Sequence, residues 1–425
     1  MPTFNLGDTT STRPIKIAQF GGGVFLRGFF DWMLQKANDA HVYDGDALII
    51  RSKTLGADPL AENNYRYTHI SRDGTHQDIT QVDSIAGSIM ATDREAYLSL
   101  ARLPSLEMVV SNTTEAGISY TPCSLVEEDL PSTFPARLTC FLYERYRAGL
   151  HGLLILPCEL IEKNGDTLKD MVVKHGEDWG LETNFFAWLD EECSFRNTLV
   201  DRIVSGVSSQ ENGANTSEYF HLWVIEGTPD HRLPFAEAGM NVKWVEDLNM
   251  YRTLKVRILN GAHTSMIPYA LLLGVETVGA CMAHKTLRLH LKNCLEEIIS
   301  SLESEMRADA LSYGEEVISR FSNPYIQHSC VAISLASVSK FRVRVLPSIL
   351  AYYERFGTYP QHLLSAFAYL IKFYRTGTPR DEESIIQKMQ TYPLPTLLAD
   401  TTLWEQDLTC LLPLLTPLFC EDTLC

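Results

Sequence analysis

The sequence lacks any hydrophobic run long enough to cross a bilayer. Its longest apolar stretches, MIPYALLLGV and CLLPLLTPLF, both contain proline. Both are shorter than the about 20 residues that a transmembrane helix needs. The opening stretch MPTFNLGDTTSTRP has no apolar segment of the kind found in secretory signals. These absences predict a cytoplasmic protein that has no membrane partner.

Positive charge is also scarce. The 36 lysines and arginines are outnumbered by 53 aspartates and glutamates, which gives a formal net charge of −17. Such an excess of negative charge disfavours nucleic acid and anionic membranes as partners, and an anionic small molecule would need a locally basic site. The 45% of hydrophobic and 21% of charged residues are typical of a globular protein. At about 150 residues per domain, the 425 residues predict two or three domains.

Motifs for metal binding and for covalent chemistry are missing. The ten cysteines include no CxxC pair, and several lie in apolar runs, where cysteine acts as a small hydrophobic residue. No HExxH, GxSxG or Walker A pattern occurs. His284 and His290 fall on opposite faces of a predicted helix, so they cannot share a metal ion. We therefore predict metal-independent chemistry in a reducing compartment.

The chain has two parts with different sequence patterns. From Ile15 to about Gly227, short apolar runs alternate with helical patterns, and the runs show little polar alternation. Such strands are buried on both faces, as in a parallel sheet covered by helices. After about Trp244, helical patterns dominate. The predicted fold class is α/β, with a Rossmann-like, doubly wound, mostly parallel sheet over residues 1–235 and an all-helical domain over residues 236–425.

The same patterns predict the individual elements. The predicted strands are IKIAQF, ALIIRS, EMVVSN, GLLILPCEL, TLVDRIV and HLWVIEG. The predicted helices are Phe29–Asn38, Arg94–Leu100, Pro135–Arg147, Thr167–Trp179, Glu182–Cys193, Met250–His263, Lys285–Leu302, Glu315–Phe321, Phe341–Arg355 and Gln361–Tyr374. The stretch TPDHRLPFAEAG, which is rich in proline and glycine, marks a plausible boundary between the two parts.

The first predicted strand runs directly into a glycine-rich turn. IKIAQF is followed by Gly21, Gly22 and Gly23, with Gly28 further on. Glycines at a strand-to-helix turn let the backbone approach a pyrophosphate, whose charge is met by the helix N-terminus. The G-x-G-x-x-G pattern is incomplete because Leu26 stands at the third glycine position. A tight turn without a ligand is the alternative, but the parallel-sheet context favours a dinucleotide site.

The ends of two further strands bear on the ligand. ALIIRSK ends in Arg51, Ser52 and Lys53, where a NAD-binding strand carries an acidic residue. Spacing alone therefore favours NADP and leaves the cofactor open. EMVVSN ends in Asn112 and is followed by Thr113, and both are small polar residues at a carboxyl end, where open α/β sheets bind ligands. The alternative for this pair is simple turn chemistry.

Three polar side chains share one side of a mostly apolar helical segment in the second part. Within KVRILNGAHT, a rotation of about 100° per residue places Asn260 about 140° and His263 about 80° from Lys255. A lysine can act as acid or base once burial lowers its pKa, and an amide and an imidazole can bind the reacting oxygen. We predict that this trio acts on a carbonyl or alcohol group. The alternatives are a surface lysine, a helix-capping asparagine and a core histidine.

One basic cluster stands out from the acidic composition. The segment SKFRVR places Lys340 and Arg344 four positions apart, on one helix face. On so acidic a chain this pair is a candidate anion site. A solvated, cationic helix end is the alternative.

Six blocks occur in a characteristic order: QFGGGVFLRGFFDW, ILPCELIEKNG, TLVDRIVSG, LPFAEAGMNV, KVRILNGAHTS and ISLASVSKFRVRVLP. In this order they resemble the polyol-specific long-chain dehydrogenases, from about Ile15 to at least Tyr374. The resemblance implies hydride transfer between a nicotinamide cofactor and a keto-sugar acid, without a metal. It also implies NAD rather than NADP, against the interpretation of Arg51 from spacing.

The resemblance implies roles for individual residues. Lys255 matches the general acid/base of the family, and Asn260 and His263 match the residues that polarise and position the carbonyl. Asp201 matches a position that lines the substrate pocket. Lys340 and Arg344 would suit the carboxylate of a hexonate. The implied cofactor-binding residues are Gln19, Phe20, Gly21, Gly22, Gly23, Val24, Phe25, Leu26, Arg27, Gly28, Asn112 and Thr113.

The blocks are most similar to the branch that reduces tagaturonate to altronate, with fructuronate reduction or hexitol oxidation as alternatives. The mannitol branch has a second oxyanion-binding asparagine after a Cys-Asp pair, whereas here Cys158 and Glu159 are followed by Leu160. This departure argues against mannitol and leaves the second hydrogen-bond donor open. The implied partner is a small keto-sugar acid, bound by a monomer or a small homo-oligomer. A nucleotide-binding sensor without catalysis is the non-enzyme alternative, and the intact trio argues against it.

Overall fold

The computed structural model describes residues 4–6, 12–52, 60–113, 117–125, 129–326 and 328–420. The chain forms two compact units, Met1–Leu248 and Asn249–Cys425. The domain division predicted from sequence patterns, after residue 235, stays a prediction.

The first unit combines three sheets with a set of helices. Its strands are β1 (Asn5–Leu6), β2 (Ile15–Phe20), β3 (Asp46–Arg51), β4 (Tyr67–Arg72), β5 (Gln77–Val82), β6 (Ile85–Met90), β7 (Met108–Ser111), β8 (Leu154–Pro157), β9 (Ser194–Phe195), β10 (Thr198–Asp201), β11 (Val204–Ser208), β12 (Ala214–Glu218), β13 (Leu222–Glu226) and β14 (Val242–Val245). Its helices are α1 (Val24–Gly28), α2 (Phe30–Asp39), α3 (Arg94–Ala101), α4 (Phe134–Arg147), α5 (Asn164–Asp178) and α6 (Thr183–Glu192).

The largest sheet has the order β1-β6-β3-β2-β7-β8-β9. β1 pairs antiparallel with β6, and the other strand pairs are parallel. From β6 to β9 this is the strand order of a doubly wound nucleotide-binding sheet, in which the order reverses between β2 and β7. The predicted Rossmann-like fold of the first part is confirmed.

This sheet is buried on both faces, as its continuous apolar strands predict. Ala18 of β2 and Val109 of β7 contact one apolar core, to which helices α3 to α6 contribute. Their neighbours Ile17 and Met108 contact a second core on the opposite face, which includes Trp223. Because side chains alternate between faces along a strand, each strand must be apolar at every position to fill both cores.

The two smaller sheets differ from the sequence prediction. TLVDRIV is not one strand but two, β10 and β11, which belong to different sheets with the orders β10-β13-β14 and β11-β12-β4-β5. The chain turns at Arg202, whose buried guanidinium donates to the backbone oxygens of Glu218 and Gly28. The strands β4, β5 and β12 were missed because they are rich in polar residues and lack a continuous apolar run.

Helices are the elements of the second unit in its described part, which confirms the prediction of a helical second half. The strand β14 (Val242–Val245), which falls inside the predicted range 236–425, belongs to the first unit. The helices of the second unit surround one apolar core. They are α7 (Asn249–Thr253), a π-helix (Leu254–Asn260), α8 (Gly261–Leu272), α9 (Val278–Ala283), α10 (Lys285–Ser301), α11 (Arg307–Phe321), α12 (Cys330–Ile333), α13 (Ser337–Arg344), α14 (Leu346–Phe356), α15 (Gln361–Thr376), α16 (Glu383–Thr391), α17 (Leu394–Ala399), α18 (Thr401–Trp404) and α19 (Leu412–Cys420).

One predicted helix is divided in the structure. The pattern over Phe341–Arg355 is interrupted at Val345, and α13 and α14 are separate helices. Pro347 explains the break, because proline has no backbone N–H to bond to the carbonyl four residues earlier and its ring clashes with that carbonyl, so it is tolerated only in the first turn of a helix. Within the ranges given above, none of the helices is both long enough and apolar enough to cross a membrane.

Candidate functional site

A turn of three glycines joins β2 to α1 in the first unit. Gly21 has a φ of +111°, and a Cβ at this position would lie 2.9 Å from the backbone oxygen of Asn112. A Cβ at Gly22 would lie 3.2 Å from a methyl carbon of Ile49. Glycine is required at position 21 both by the backbone angle and by the approach of the neighbouring strand. The turn therefore lies directly against the carboxyl ends of β3 and β7.

A cavity of 350 Å³ lies at the carboxyl ends of these strands, where open α/β sheets bind ligands. It brings together half of the predicted cofactor residues, namely Phe20, Gly21, Gly22, Gly23, Asn112 and Thr113. The rest of the wall consists of Ile49, Ile50, Arg51, Ser52, Leu60, Ala91, Phe134 and Arg137. Of these, the sequence patterns had pointed only to Arg51 and Ser52. The predicted Lys53 lies outside the described residues.

A buried carboxylate holds one side of this cavity in place. Glu159 is 2% exposed, and its Oε1 accepts hydrogen bonds from the backbone N–H of Thr113 at 2.8 Å and from its hydroxyl at 2.9 Å. Its Oε2 accepts from the Ser111 hydroxyl at 3.0 Å. Burial raises the pKa of Glu159, and these hydrogen bonds oppose the rise. Glu159, which stands where the mannitol branch has the aspartate of its Cys-Asp pair, thus fixes the carboxyl end of β7.

Six of the predicted cofactor residues lie outside the cavity wall. The side-chain amide of Gln19 donates to the backbone oxygen of Gly21 at 3.1 Å. The backbone oxygen of Gly28 accepts from the guanidinium of Arg202 at 2.7 Å. The other members of this group are Val24, Phe25, Leu26 and Arg27. Their assignment to the cofactor stays a prediction.

A second buried carboxyl group lies next to the turn residues. Asp31 of α2 is fully buried, and burial raises its pKa to about 7. The charge of Arg27 and the polar groups of Gln19 and Tyr67 lower the pKa of Asp31 in part. The Tyr67 hydroxyl donates to the backbone oxygen of Arg27 at 2.7 Å. This group of residues therefore contains an acid that titrates near neutral pH.

The predicted catalytic trio of the second unit lies on a helix with an unusual turn. Lys255 and Asn260 are in the π-helical segment, and His263 follows in α8. The α-helical rotation assumed from the sequence is wrong for this segment, because a π-helix bonds residues five apart and its turn is wider. Asn260 consequently lies one turn above Lys255, and His263 follows three residues later in an α-helix. The three residues are closer to one face than an α-helix would place them.

The opposite side of the π-helical segment is held by a different residue. Arg257 donates from its Nε to the Ser348 hydroxyl at 2.7 Å and from a terminal nitrogen to the Ser301 hydroxyl at 3.3 Å. Single-turn π segments occur frequently at functional sites. The anchoring of Arg257 fixes this turn against α10 and α14, and thereby the direction of its neighbours in the chain.

His263 lies in a buried, polar and cationic environment. Its ring stacks on Phe321 at 4.0 Å and meets His328 edge-on at 5.1 Å. Within the described part of the chain, no group pairs with its Nε2. Burial lowers the pKa of His263 well below its usual value, and His328 and nearby cations lower it further. The imidazole is therefore neutral at pH 7 and can exchange hydrogen bonds with a hydroxyl or carbonyl group.

The basic cluster belongs to the same neighbourhood. Lys340 and Arg344 of α13 are among the charges that lower the pKa of His263. The Lys340 ammonium donates to the backbone oxygen of Ile333 at 2.8 Å. A Cβ at Gly261 would lie 3.2 Å from the backbone oxygen of Arg344, so α8 and α13 approach each other closely. The structure therefore brings the predicted anion site close to His263 of the predicted trio.

Two residues of this cluster were missed by sequence reasoning. Arg320 of α11 is 6% exposed, and its charge also acts on His263. His328 precedes α12 and contacts the ring of His263. Neither residue belongs to a motif, and no local spacing relates them to Lys255. Only the packing of α11 and of the segment before α12 against α8 reveals them.

Two further positions belong to the first unit. Asp201 is the last residue of β10 and is 3% exposed, and its predicted substrate contact stays a prediction. Leu160, which stands where the mannitol branch has an asparagine, is 53% exposed and has no side-chain donor. In the ranges that the structure covers, no three histidine, cysteine, aspartate or glutamate side chains cluster so as to hold a metal ion.

Two family profiles match the chain. The profile described as the mannitol dehydrogenase Rossmann domain matches residues 15–264, and the profile described as the mannitol dehydrogenase C-terminal domain matches residues 247–409.

Curated relatives match over most of the chain. The altronate oxidoreductase of Bacillus subtilis (strain 168) is 37% identical over 412 residues, which cover 90% of this chain and 85% of the relative. The altronate oxidoreductase of Yersinia enterocolitica is 35% identical over an alignment of 456 positions, with 96% of this chain and 94% of the relative covered.

Solved structures share the fold. A substrate-free D-sorbitol dehydrogenase has a TM-score of 0.76 at 20% identity, over 96% of this chain and 97% of that chain. The mannitol 2-dehydrogenase of Pseudomonas fluorescens, in a ternary complex with NAD and D-mannitol, has a TM-score of 0.73 at 19% identity. The match covers 96% of this chain and 88% of that chain.

Proposed function

This chain belongs to the mannitol dehydrogenase family and is an oxidoreductase, and from that premise we propose that it interconverts tagaturonate and altronate with NAD as cofactor. The proposal rests on one observation above all. Relatives named altronate oxidoreductase match this chain at 35–37% identity over nine-tenths or more of its length. The reaction is the transfer of a hydride between the cofactor and the carbon that is a ketone in tagaturonate and an alcohol in altronate.

The glycine turn fits a dinucleotide. Gly21 and Gly22 keep the backbone clear of side chains at the carboxyl end of β2, and Asn112 and Thr113 line the same cavity. When bound there, the nicotinamide cofactor supplies or accepts the hydride. The first unit contributes a rigid backbone cradle, because Glu159 fixes Thr113 and Gln19 fixes Gly21. A preformed cradle reduces the entropy that is lost on binding.

Lys255 is the proposed general acid/base. During reduction its ammonium gives a proton to the oxygen that becomes the altronate hydroxyl, and during oxidation its amine takes that proton back. Lys255 is 7% exposed, which limits the access of water as a competing proton donor. Asn260 and His263 bind and orient the same oxygen, because a side-chain amide and a neutral imidazole both exchange hydrogen bonds with it.

The basic cluster provides the proposed specificity for a sugar acid. Lys340 and Arg344 lie close enough to His263 to affect its pKa, so a carboxylate bound by them would hold the sugar chain beside the trio. A cation paired with a carboxylate forms a stronger hydrogen bond than a neutral donor does. This local positive charge also explains how a chain of net charge −17 can bind an anionic substrate.

A substrate panel tests the proposal. The purified protein is incubated with tagaturonate, fructuronate or fructose, each with NADH and with NADPH, and oxidation of the cofactor is followed by its absorbance. We expect the highest kcat/KM for tagaturonate with NADH. A higher kcat/KM for fructuronate or fructose would contradict the assigned substrate, and preference for NADPH would contradict the assigned cofactor. Binding of NADH without turnover of any substrate would favour the sensor alternative.

A further inference from the structure

His328 is a polar residue of the second unit that the proposed mechanism does not use. Its ring meets the ring of His263 edge-on, with centroids 5.1 Å apart and planes at 86°. Phe321 occupies a face of the His263 ring, at 4.0 Å. His263 thus has an aromatic wall on one side and a second imidazole at its edge.

The position of His328 is fixed by its backbone. Its carbonyl oxygen accepts a hydrogen bond from the backbone N–H of Val278 at 3.0 Å. The next residue, Ser329, pairs with Thr277 in an isolated bridge, and the N–H of Cys330 donates to the oxygen of Glu276 at 2.8 Å. The segment is therefore tied to the start of α9 along several consecutive residues. Such a tie holds the backbone of His328 in one place, which supports a preorganised binding group.

The Nδ1 atom of His328 is buried, and it has no hydrogen-bond partner among the residues that the structure describes. Buried polar atoms are paired in the great majority of cases, so an unpaired one calls for a functional explanation. The Nε2 atom of His263 is unpaired in the same way. Two adjacent imidazoles with unpaired nitrogens, near the cations Lys340 and Arg344, are suited to a polar and anionic molecule.

We propose that His328 is a substrate-binding residue whose Nδ1 exchanges a hydrogen bond with a hydroxyl group of the sugar acid, beside His263. This inference rests on the proposed function and deepens it by naming a further residue of the second unit that binds the substrate. A hydroxyl group both donates and accepts, so either tautomer of a neutral imidazole can bind it. The interaction holds the sugar chain in one register beside Lys255, and it takes no part in proton transfer.

Three variants of His328 test this assignment. Asparagine carries a polar atom at the position of Nδ1, glutamine carries one at the position of Nε2, and alanine carries neither. We expect His328→Ala and His328→Gln to raise the substrate KM about fivefold to tenfold, the loss of one net hydrogen bond, with a smaller change in kcat. His328→Asn should stay close to the wild type. His362→Ala, which removes another half-buried histidine of the same unit, is the matched control and should leave KM unchanged.

Two readouts other than turnover separate substrate binding from a structural role. Titration calorimetry with altronate alone should show the same order of affinities as KM, and the Kd for NADH should not change. Equal KM values in all variants would overturn the inference. Loss of affinity in His328→Asn equal to that in His328→Ala, together with a lower Tm in both, would assign His328 to stability instead.

The substrate panel keeps this inference separate from the proposed function. The KM of each variant is divided by the KM of the wild type on the substrate that the wild type prefers. If the assigned substrate is wrong, both KM values are measured on the other substrate, and their ratio still tests His328. If no substrate is turned over, the calorimetric ratio for altronate decides the role of His328. Absence of altronate binding by a wild type that turns over another substrate would refute the assigned substrate, and the KM values of the His328 variants on that other substrate would then decide the role of His328.

Discussion

The glycine turn of the first unit and the Lys255 segment of the second are built in opposite ways. The turn is made of backbone and requires that side chains be absent, because a Cβ at Gly21 would lie 2.9 Å from the backbone oxygen of Asn112. The Lys255 segment is made of side chains, and its requirement is a wide helical turn that presents them together. The glycine turn tolerates little change in its backbone shape, whereas the Lys255 segment depends on the chemical identity of its side chains. Substitutions should therefore affect the two regions in different kinetic parameters.

The largest expected effect is on the side-chain region. Lys255→Ala should reduce kcat by about 10²- to 10⁴-fold, the usual contribution of general acid–base catalysis, because it removes the proposed proton donor. The Kd for NADH, measured by fluorescence titration, should stay nearly the same. Lys255→Arg keeps the positive charge but not a readily titratable group, and it should be as inactive. Activity of Lys255→Ala within a few-fold of the wild type would refute the mechanism.

The backbone region should respond in cofactor affinity. Gly21→Ala puts a Cβ into a left-handed conformation and against the oxygen of Asn112, a strain of about 1–3 kcal/mol. If the strain is relieved by moving the turn, the Kd for NADH rises by about tenfold to 100-fold. Gly74→Ala, outside the cavity wall, is the matched control, because no atom of the described residues lies within 4 Å of its Cβ position, and the Kd for NADH should be unchanged. An equal rise of the Kd for NADH in both variants would contradict the described shape of the turn.

The basic cluster should affect only charged substrates. Arg344→Ala should raise the KM for tagaturonate about tenfold or more, because it removes a charge-assisted hydrogen bond to the carboxylate. The KM for fructose, which has no carboxylate, should change little. Steady-state kinetics with both substrates provides the comparison. A similar rise in both KM values would show that Arg344 supports the fold rather than the carboxylate.

The smallest effect concerns stability near the glycine turn. The pKa of Asp31 is about 7 in the folded chain against 3.8 when exposed, so the folded state binds more protons between these values. The free energy of unfolding should fall as the pH rises through this window, by up to about 1.4 kcal/mol per unit from this group. Asp31→Asn should flatten the slope, measured by urea unfolding at several pH values. An unchanged slope would show that Asp31 does not titrate there.

Much of the fold was predictable because it depends on local pattern. The apolar strands β2, β3, β7 and β8 are continuous in the sequence, and their burial on both faces follows from composition alone. The polar strands β4 and β12 were not predictable, because their pairing with each other compensates for the absence of an apolar run. The split of TLVDRIV was hidden for a similar reason, since the bonds of Arg202 that turn the chain connect residues distant in sequence.

The candidate site shows the same division. Lys255, Asn260 and His263 were identified from their types and spacing, although the α-helical rotation assumed for them was wrong. The π-helical turn could not be read from the sequence, because hydrophobic periodicity does not distinguish one wider turn within a helix. Glu159 appeared only as a departure from a family pattern, and its three hydrogen bonds to Ser111 and Thr113 became visible through the pairing of β7 with β8.

Sequence patterns predicted the glycine turn, the parallel sheet and the helical second half, and they selected the trio as candidates, because each pattern involves residues that are neighbours in the chain. The folded structure was needed to show that His328, Arg320 and the basic cluster lie near His263, and that a π-helical turn links Lys255 to Asn260. The unpaired nitrogens of His263 and His328 and the charges near His263 result from the packing of helices against one another. Helices that pack together are far apart in the sequence, so local patterns do not show these features.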